Sequence, residues 1–268
     1  MGSWDRRPRL ARVTGWLRSV APVALVVVGC VSTSAASAQS PSLRDFLFPH
    51  RQDVAGLNPG RYVPSEGETF FVDRGTSGAL LLRFGDSPEV WALKPVSGPR
   101  GDIIYKDDAG EDVLRATRLG GLTLFTSERP GGAPAAYAGD GPSLRPAAVS
   151  GANGLFQTLV QSSIRASRAA QHLIVFEAPD LTPRDTTAAA SAMLADAASV
   201  TAEAFTRLAG RGPAGRTVVA KVARVQFQTG REAQAKSSGT VVTITVSPDK
   251  GFAGRPSSAR IITTLMKK

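Results

Sequence analysis

The chain has 268 residues, of which 42% are hydrophobic, 20% charged and only 6% aromatic. That composition excludes a disordered, highly charged chain and leaves room for one large domain or two small ones, with cores built from Val, Leu, Ile and Ala. The formal net charge is +10, but Arg6, Arg7, Arg9, Arg12 and Arg18 against Asp5 put four of those charges in residues 1–38, and the remaining six are interleaved with acids rather than gathered in a Lys/Arg run. Such a pattern argues against nucleic acid as a partner and leaves an anionic envelope surface as the expected beneficiary of the charge.

The amino-terminal segment gives the most specific signal. A basic stretch, 6–18, leads into SVAPVALVVVGCV, 19–31, and then into the small polar run STSAASA. This is the order of a secretory signal peptide. Ala36 and Ala38 supply the two small residues that a signal peptidase needs, so cleavage is expected before Gln39. The apolar run is too short, and too interrupted by Pro22 and Gly29, for a permanent transmembrane helix, and none is expected in the mature chain. A second reading of the same residues stays open. Val27-Val28-Gly29-Cys30 resembles a lipobox, in which Cys30 is lipidated and becomes the first mature residue. The expected location is the periplasm, free or tethered through Cys30. Cys30 is the sole cysteine, so a chain cut at Ala38 has no disulfide and no thiol chemistry.

Residues 41–57 form a short amphipathic leading segment. From 60 to 127, β-rich runs at 61–64, 69–73, 79–84, 90–94, 102–106, 112–117 and 122–126 alternate with Gly, Pro, Asp and Ser, which is the spacing of an antiparallel meander, sandwich or small barrel. Asp107-Asp108-Ala109-Gly110 supplies residues suited to a tight hairpin, and Gly120-Gly121 breaks the next pair of runs. Residues 128–152 are rich in Gly, Pro and Ala without a period and are expected to be a linker or a long crossing. Beyond them the texture becomes helical. A helix is expected at 154–170 and a strand at 173–178. A second helix is expected to start at Thr182-Pro183 with Asp185 and to carry Met193, Ala197, Val200, Ala204 and Leu208 to an end at Gly210. Strands at 217–228 and 240–246 and a closing helix at 257–266 complete the pattern. The fold class is therefore α+β, an N-terminal antiparallel β half, 39–127, followed by a smaller α+β half, 153–268.

Two stretches, EVWAL with GPRGDIIYKDDAGEDVLRATRLGGLTLFTSERP and the later FAGRPSSARI, resemble a family of exported alphaproteobacterial proteins known only as a domain of unknown function. The resemblance implies coverage of most of the mature chain and no activity.

Candidate chemistry is sparse. His50 and His172 lie in no nucleophile context, and a structural or surface role is expected of both. Two scattered histidines without a mature cysteine give no zinc site, and the Asp107, Asp108, Glu111, Asp112 cluster lacks the spacing of a calcium loop, so neither metal nor cofactor is expected. Arg100, Arg115 and Arg118 can present guanidinium groups to an anionic ligand, with pairing of Arg115 and Arg118 to the acidic hairpin as the simpler alternative. Arg255, beside Ser257 and Ser258 at the start of the last helix, can join an anion site at that helix terminus, with capping alone as the simpler alternative. Glu66 and Glu68 are a candidate carboxylate pair for a hydrolase. These residues leave three functions open: a non-enzymatic module that binds an envelope component or a partner protein, a carboxylate- and arginine-based envelope hydrolase, or a lipid-anchored structural protein. A deep pocket gathering the arginines with Glu66, Glu68, Asp107 or Glu111 would favour the hydrolase, and the same groups paired to one another would favour the module.

Overall fold

Alternation of apolar and polar residues dictates the first half. In the computed structural model, which describes residues 57–75, 78–145, 151–179, 181 and 187–267, the strands β1 (Gly60–Pro64), β2 (Phe70–Arg74), β3 (Leu80–Phe84), β4 (Trp91–Ser97), β5 (Ile103–Lys106), β6 (Asp112–Ala116), β7 (Leu122–Thr126) and β8 (Arg129–Tyr137) form a closed barrel. Each strand pairs antiparallel with the next, and β1 closes on β8 with Tyr62 opposite Tyr137. Closure removes the exposed sheet edges that a meander of this length would otherwise present.

Every second residue points inward. Tyr62, Phe70, Val72, Leu80, Leu82, Leu93, Tyr105, Leu114, Leu122 and Leu124 fill the interior, which at eight strands is just wide enough for side chains. Burying each leucine is worth about 1.5–3 kcal/mol. Several of the chain's few aromatics concentrate here, with Tyr62 stacked on Phe70 at 5.5 Å and Phe84 edge-on to Trp91 at 5.9 Å.

The second half follows from helical periodicity. Helix α1 (Gly151–Ala170), β9 (Val175–Glu177), α2 (Ala188–Gly210), α3 (Pro213–Val219), β10 (Arg224–Thr229), β11 (Gln234–Ser238), β12 (Val241–Val246), a 3-10 segment (Pro248–Gly254) and α4 (Ser258–Met266) follow in order. The sheet runs β11-β12-β10-β9. Strands β9 and β12 lie parallel to β10, and β11 is the antiparallel edge. Val225, Phe227, Val242, Ile244 and Val246 are buried in the same core as the helices, while the alternate residues stay partly exposed. Helix α2 is the hub. Its alanines allow close approach of its neighbours, and Met193, Leu194, Phe205 and Leu208 are all buried.

All described residues lie in one unit of the chain, Phe48–Lys268, and the two halves share a wall. Leu81 and Val90 point out of the barrel into the second core, with Phe71 and Ala92 packed beside them. This two-sided burial explains why Leu80, Leu81 and Leu82 run consecutively.

Three expectations change. Residues 129–137, expected within a linker or a long crossing, are β8. Gly and Pro suppress the strand signal there, yet Ala133 is buried in the wall and only small residues are needed where β8 meets β1 and β7. Residues 217–219 belong to α3 rather than to a strand, because Gly212 and Pro213 start a helix whose Val219 faces the core. Strand β11, QAKSS, carries no apolar alternation and forms by pairing with β12. The expected start of α2 at Thr182-Pro183 with Asp185 lies outside the described residues; the helix itself begins at Ala188, where Thr187 caps it by accepting from the Ala190 N–H at 3.1 Å.

Candidate functional site

The up-and-down connectivity sorts the barrel's turns into two ends. One end carries the turn from β2 to β3, Pro99–Gly101 between β4 and β5, the Thr117–Gly121 turn between β6 and β7, and the chain leaving β8. Arg100, Arg115 and Arg118 all lie here. Arg100 holds a left-handed backbone at φ 60° and is exposed, and Gly101 follows at φ 81°. Arg118 lies across Gly101 so closely that a Cβ on that glycine would stand 2.6 Å from the Arg118 Cδ. Thr117 locks the turn, its carbonyl accepting from Gly120 at 3.0 Å and its hydroxyl from Gly121 at 3.0 Å. Arg115 turns back to the buried Asp102, donating from Nε at 2.7 Å and also from Nη2 to the same oxygen.

A hollow of about 360 Å3 opens beside Arg118, walled also by Tyr62, Tyr105 and Tyr137, and neither Arg100 nor Arg115 lines it. A neighbouring hollow of about 300 Å3 shares Leu57 and Tyr105 and adds Arg74. Burial, reinforced by the nearby Tyr137 and Tyr105, pushes the Tyr62 hydroxyl up to about 12, so it stays protonated and donates to the Asn58 carbonyl at 2.9 Å. Burial also raises Tyr105, with Arg74 opposing it. The carboxylates at this end are committed: Asp102 to Arg115, Asp140 to the Tyr137 hydroxyl at 3.1 Å, and Asp73 to the Leu144 N–H at 2.8 Å. Arg100 and Arg118 have no carboxylate partner among the described residues.

Arg255 goes elsewhere. It is 3% exposed and sits on the seam between the halves, with Nε on the Asp196 carboxylate, Nη2 donating to the Val90 carbonyl at 2.8 Å, Nη1 4.0 Å from Glu89, and its guanidinium over the Phe252 ring at 5.5 Å. The start of α4 does bind anions, and they are the barrel's own side chains. Ser258 donates to Glu89 from its N–H at 2.8 Å and its hydroxyl at 2.6 Å, while Ser257 donates to Asp108 from its N–H at 2.8 Å and from its hydroxyl. Ser257 also caps the helix by accepting from the Arg260 N–H at 3.1 Å. Arg207 completes the seam, 3.2 Å from Glu89 and donating to the Ser87 hydroxyl at 3.3 Å. Glu89, Asp196 and Arg207 carried no sequence signal, because each sits in an ordinary context and gains its partners only across the seam.

Glu66 and Glu68 stand apart from Arg100, Arg115 and Arg118 and share a hollow of about 540 Å3 with Arg129 and Arg207. Glu66 pairs with Arg129, and Glu68 accepts from the Asp86 N–H. Asp107 accepts from the Ala109 and Glu111 amides at 2.9 Å within its hairpin, and burial, with Asp108 adjacent, raises its carboxyl. The His172 ring lies between two carbonyls, Nε2 2.7 Å from Val222 and Nδ1 3.2 Å from Ala170, and braces the end of α1 against the segment between α3 and β10. Among the described residues no cluster of three metal-binding side chains occurs, and no helix is long and apolar enough to cross a membrane. Cys30, Ala36, Ala38 and His50 lie outside the described residues.

No curated protein matches the chain, and no solved structure does. A family model described as a domain of unknown function, DUF4908, matches residues 42–265, which takes in the barrel, the seam and the α+β half together. The chain belongs to the DUF4908 family.

Proposed function

We propose that this protein is an exported, non-enzymatic periplasmic module that holds an anionic envelope component at the arginine-bearing end of its barrel. The observation that carries the reading is Arg118 in the wall of a tyrosine-lined hollow, with Arg100 on the adjoining turn and the nearby carboxylates already bonded elsewhere. Guanidinium forks beside tyrosine ring faces suit a ligand bearing carboxylate or phosphate groups on a ring-shaped frame. A hydrolase would need carboxylates facing these arginines. Glu66 and Glu68 instead lie in the β1–β2 turn and Glu111 in the β5–β6 turn, all at the opposite end of the barrel.

Export rests on the basic, apolar and small-residue order of residues 6–38. Intact mass of the protein from fractionated cells separates the two forms of it. A soluble species beginning at Gln39 supports the free periplasmic form, an acylated Cys30 the tethered form, and an uncleaved cytoplasmic chain refutes export.

Calorimetric titration of the chain beginning at residue 39 with pyrophosphate and with oligogalacturonate tests the binding reading. At least one probe should bind, and Arg100→Ala with Arg118→Ala should weaken it about tenfold or more, since hydrogen bonds to charged groups are worth roughly 1.5–3 kcal/mol each. Binding unchanged by the double substitution, or no binding of either probe, would refute this site.

A further inference from the structure

The two ends of the barrel carry opposite charge. Arg61, Arg74, Arg100 and Arg118 are exposed at one end, and none of the four makes an ion pair among the described residues. The acids at this end among the described residues, Asp73, Asp102 and Asp140, are bonded to the Leu144 N–H, Arg115 and the Tyr137 hydroxyl. The turns at the other end carry exposed acids instead, Glu66, Glu68, Asp86, Glu111 and Glu128. Such a distribution turns the arginine-bearing end toward an anionic surface.

That end also holds an apolar tip. Leu119, in the turn between β6 and β7, is 99% exposed, and Tyr137 and Val96 near the same rim are 47% and 43% exposed. The turn is closed by the Thr117 N–H on the Gly121 carbonyl at 2.8 Å and the Gly120 N–H on the Thr117 carbonyl at 3.0 Å, which holds Leu119 outward. Arg118 precedes it and lies across Gly101, next to Arg100. A leucine tip bordered by unpaired guanidinium groups, with a tyrosine at the rim, is suited to the boundary between headgroups and acyl chains of an anionic bilayer. The acidic end is a poor counter-surface for a second copy of the chain, since Glu66 already pairs with Arg129 and Glu68 holds the Asp86 N–H.

We propose that the barrel stands end-on against an anionic lipid bilayer, with Leu119 entering the acyl boundary, Arg100 and Arg118 meeting lipid phosphates, and Arg61 and Arg74 adding to the attraction. This docking rests on the anion site proposed for the same end, and the bilayer surface is what presents the anion.

The test is co-flotation of the chain beginning at residue 39 with vesicles of phosphatidylglycerol and phosphatidylcholine in equal parts, against phosphatidylcholine alone. The chain floats with the anionic vesicles, and added salt releases it. Leu119→Gln lowers partitioning about tenfold. Arg100→Ala with Arg118→Ala lowers it about twentyfold. Arg165→Gln with Arg168→Gln removes the same charge from α1 and changes it by less than about twofold. Thermal melts followed by circular dichroism establish that each variant is folded. Leu119 does not line the tyrosine-walled hollow, so Leu119→Gln leaves the pyrophosphate and oligogalacturonate titrations unchanged. Flotation without binding of either soluble probe refutes the hollow as a site and supports the docking, and probe binding without flotation does the reverse. Equal flotation on both vesicle types would overturn the proposal. So would undiminished flotation of Leu119→Gln, a loss in the α1 double variant as large as that in the barrel-end one, or self-association in sedimentation that Leu119→Gln abolishes while no vesicle binding is seen.

Discussion

Replacing Glu89 by Ala removes the residue through which the barrel holds the start of α4. Glu89 is 1% exposed, and its carboxylate receives the Ser258 N–H at 2.8 Å, the Ser258 hydroxyl at 2.6 Å and Arg207 at 3.2 Å, with Arg255 at 4.0 Å. Truncation leaves a first-turn helix amide and a buried hydroxyl without an acceptor, and takes a countercharge from a buried guanidinium. A hydrogen bond to a charged group is worth about 1.5–3 kcal/mol. Because the bonds share one carboxylate they do not add in full, and the expected loss is the roughly 3–5 kcal/mol typical of breaking a buried ion pair. Glu89→Gln keeps an acceptor but loses the charge, so its cost falls between those of Ala and the parent. Urea unfolding measures the change as a lower midpoint at unchanged slope. The control is Glu66→Ala, which removes a partner of Arg129 in a pair that is 56% exposed on both sides and costs no more than about 1 kcal/mol. A Glu89→Ala loss no larger than the Glu66→Ala loss would refute the view that this seam is a buried, mutually dependent charge cluster.

Gly254→Ala should destabilise by about 2 kcal/mol or more, because a Cβ there would stand 1.9 Å from the rigid Ser247 carbonyl oxygen; a thermal midpoint equal to the parent's would show that the loop gives way instead. Tyr62 is raised from its ordinary 10.0 to about 12 by burial, so its contribution to stability is whole below about pH 10 and is lost as pH rises toward 12. Tyr62→Phe should flatten the alkaline fall in unfolding free energy over that window, and an unchanged slope would refute the assignment. Asp73 responds in the opposite direction. Burial disfavours its charge, but hydrogen bonds from the Leu144 and Arg74 amides and the Ser143 hydroxyl outweigh that and hold its carboxyl below the ordinary value of 3.8. Its stabilisation is present above that value and lost as pH falls through the lowered one, so Asp73→Asn should reduce the stability gap between neutral and acid pH, as read by urea unfolding at both.

Much of the fold was legible because its elements are locally consistent. The alternation in β1 to β7, the periodicity of α1 and α2 and the Ser cap of α4 are written in neighbouring residues, and local sterics and side-chain spacing act at that range. Strand β8 and strand β11 were not legible for the same reason. RPGGAPAAY and QAKSS have weak strand propensity, and each forms because a partner strand supplies its hydrogen bonds.

Residue types and most elements, β8, α3 and β11 excepted, thus followed from the sequence alone, down to which arginines were available and which serines would cap. Tertiary structure decided what those residues face. Closure of the barrel set Arg100 and Arg118 at one rim, and docking of the halves turned Arg255 inward and delivered Glu89 and Asp108 to the start of α4. The physical reason is range. Backbone propensity and periodicity act over a few residues, whereas the partners of a charged side chain are fixed by which distant surfaces bury together, here 169 positions apart for Glu89 and Ser258.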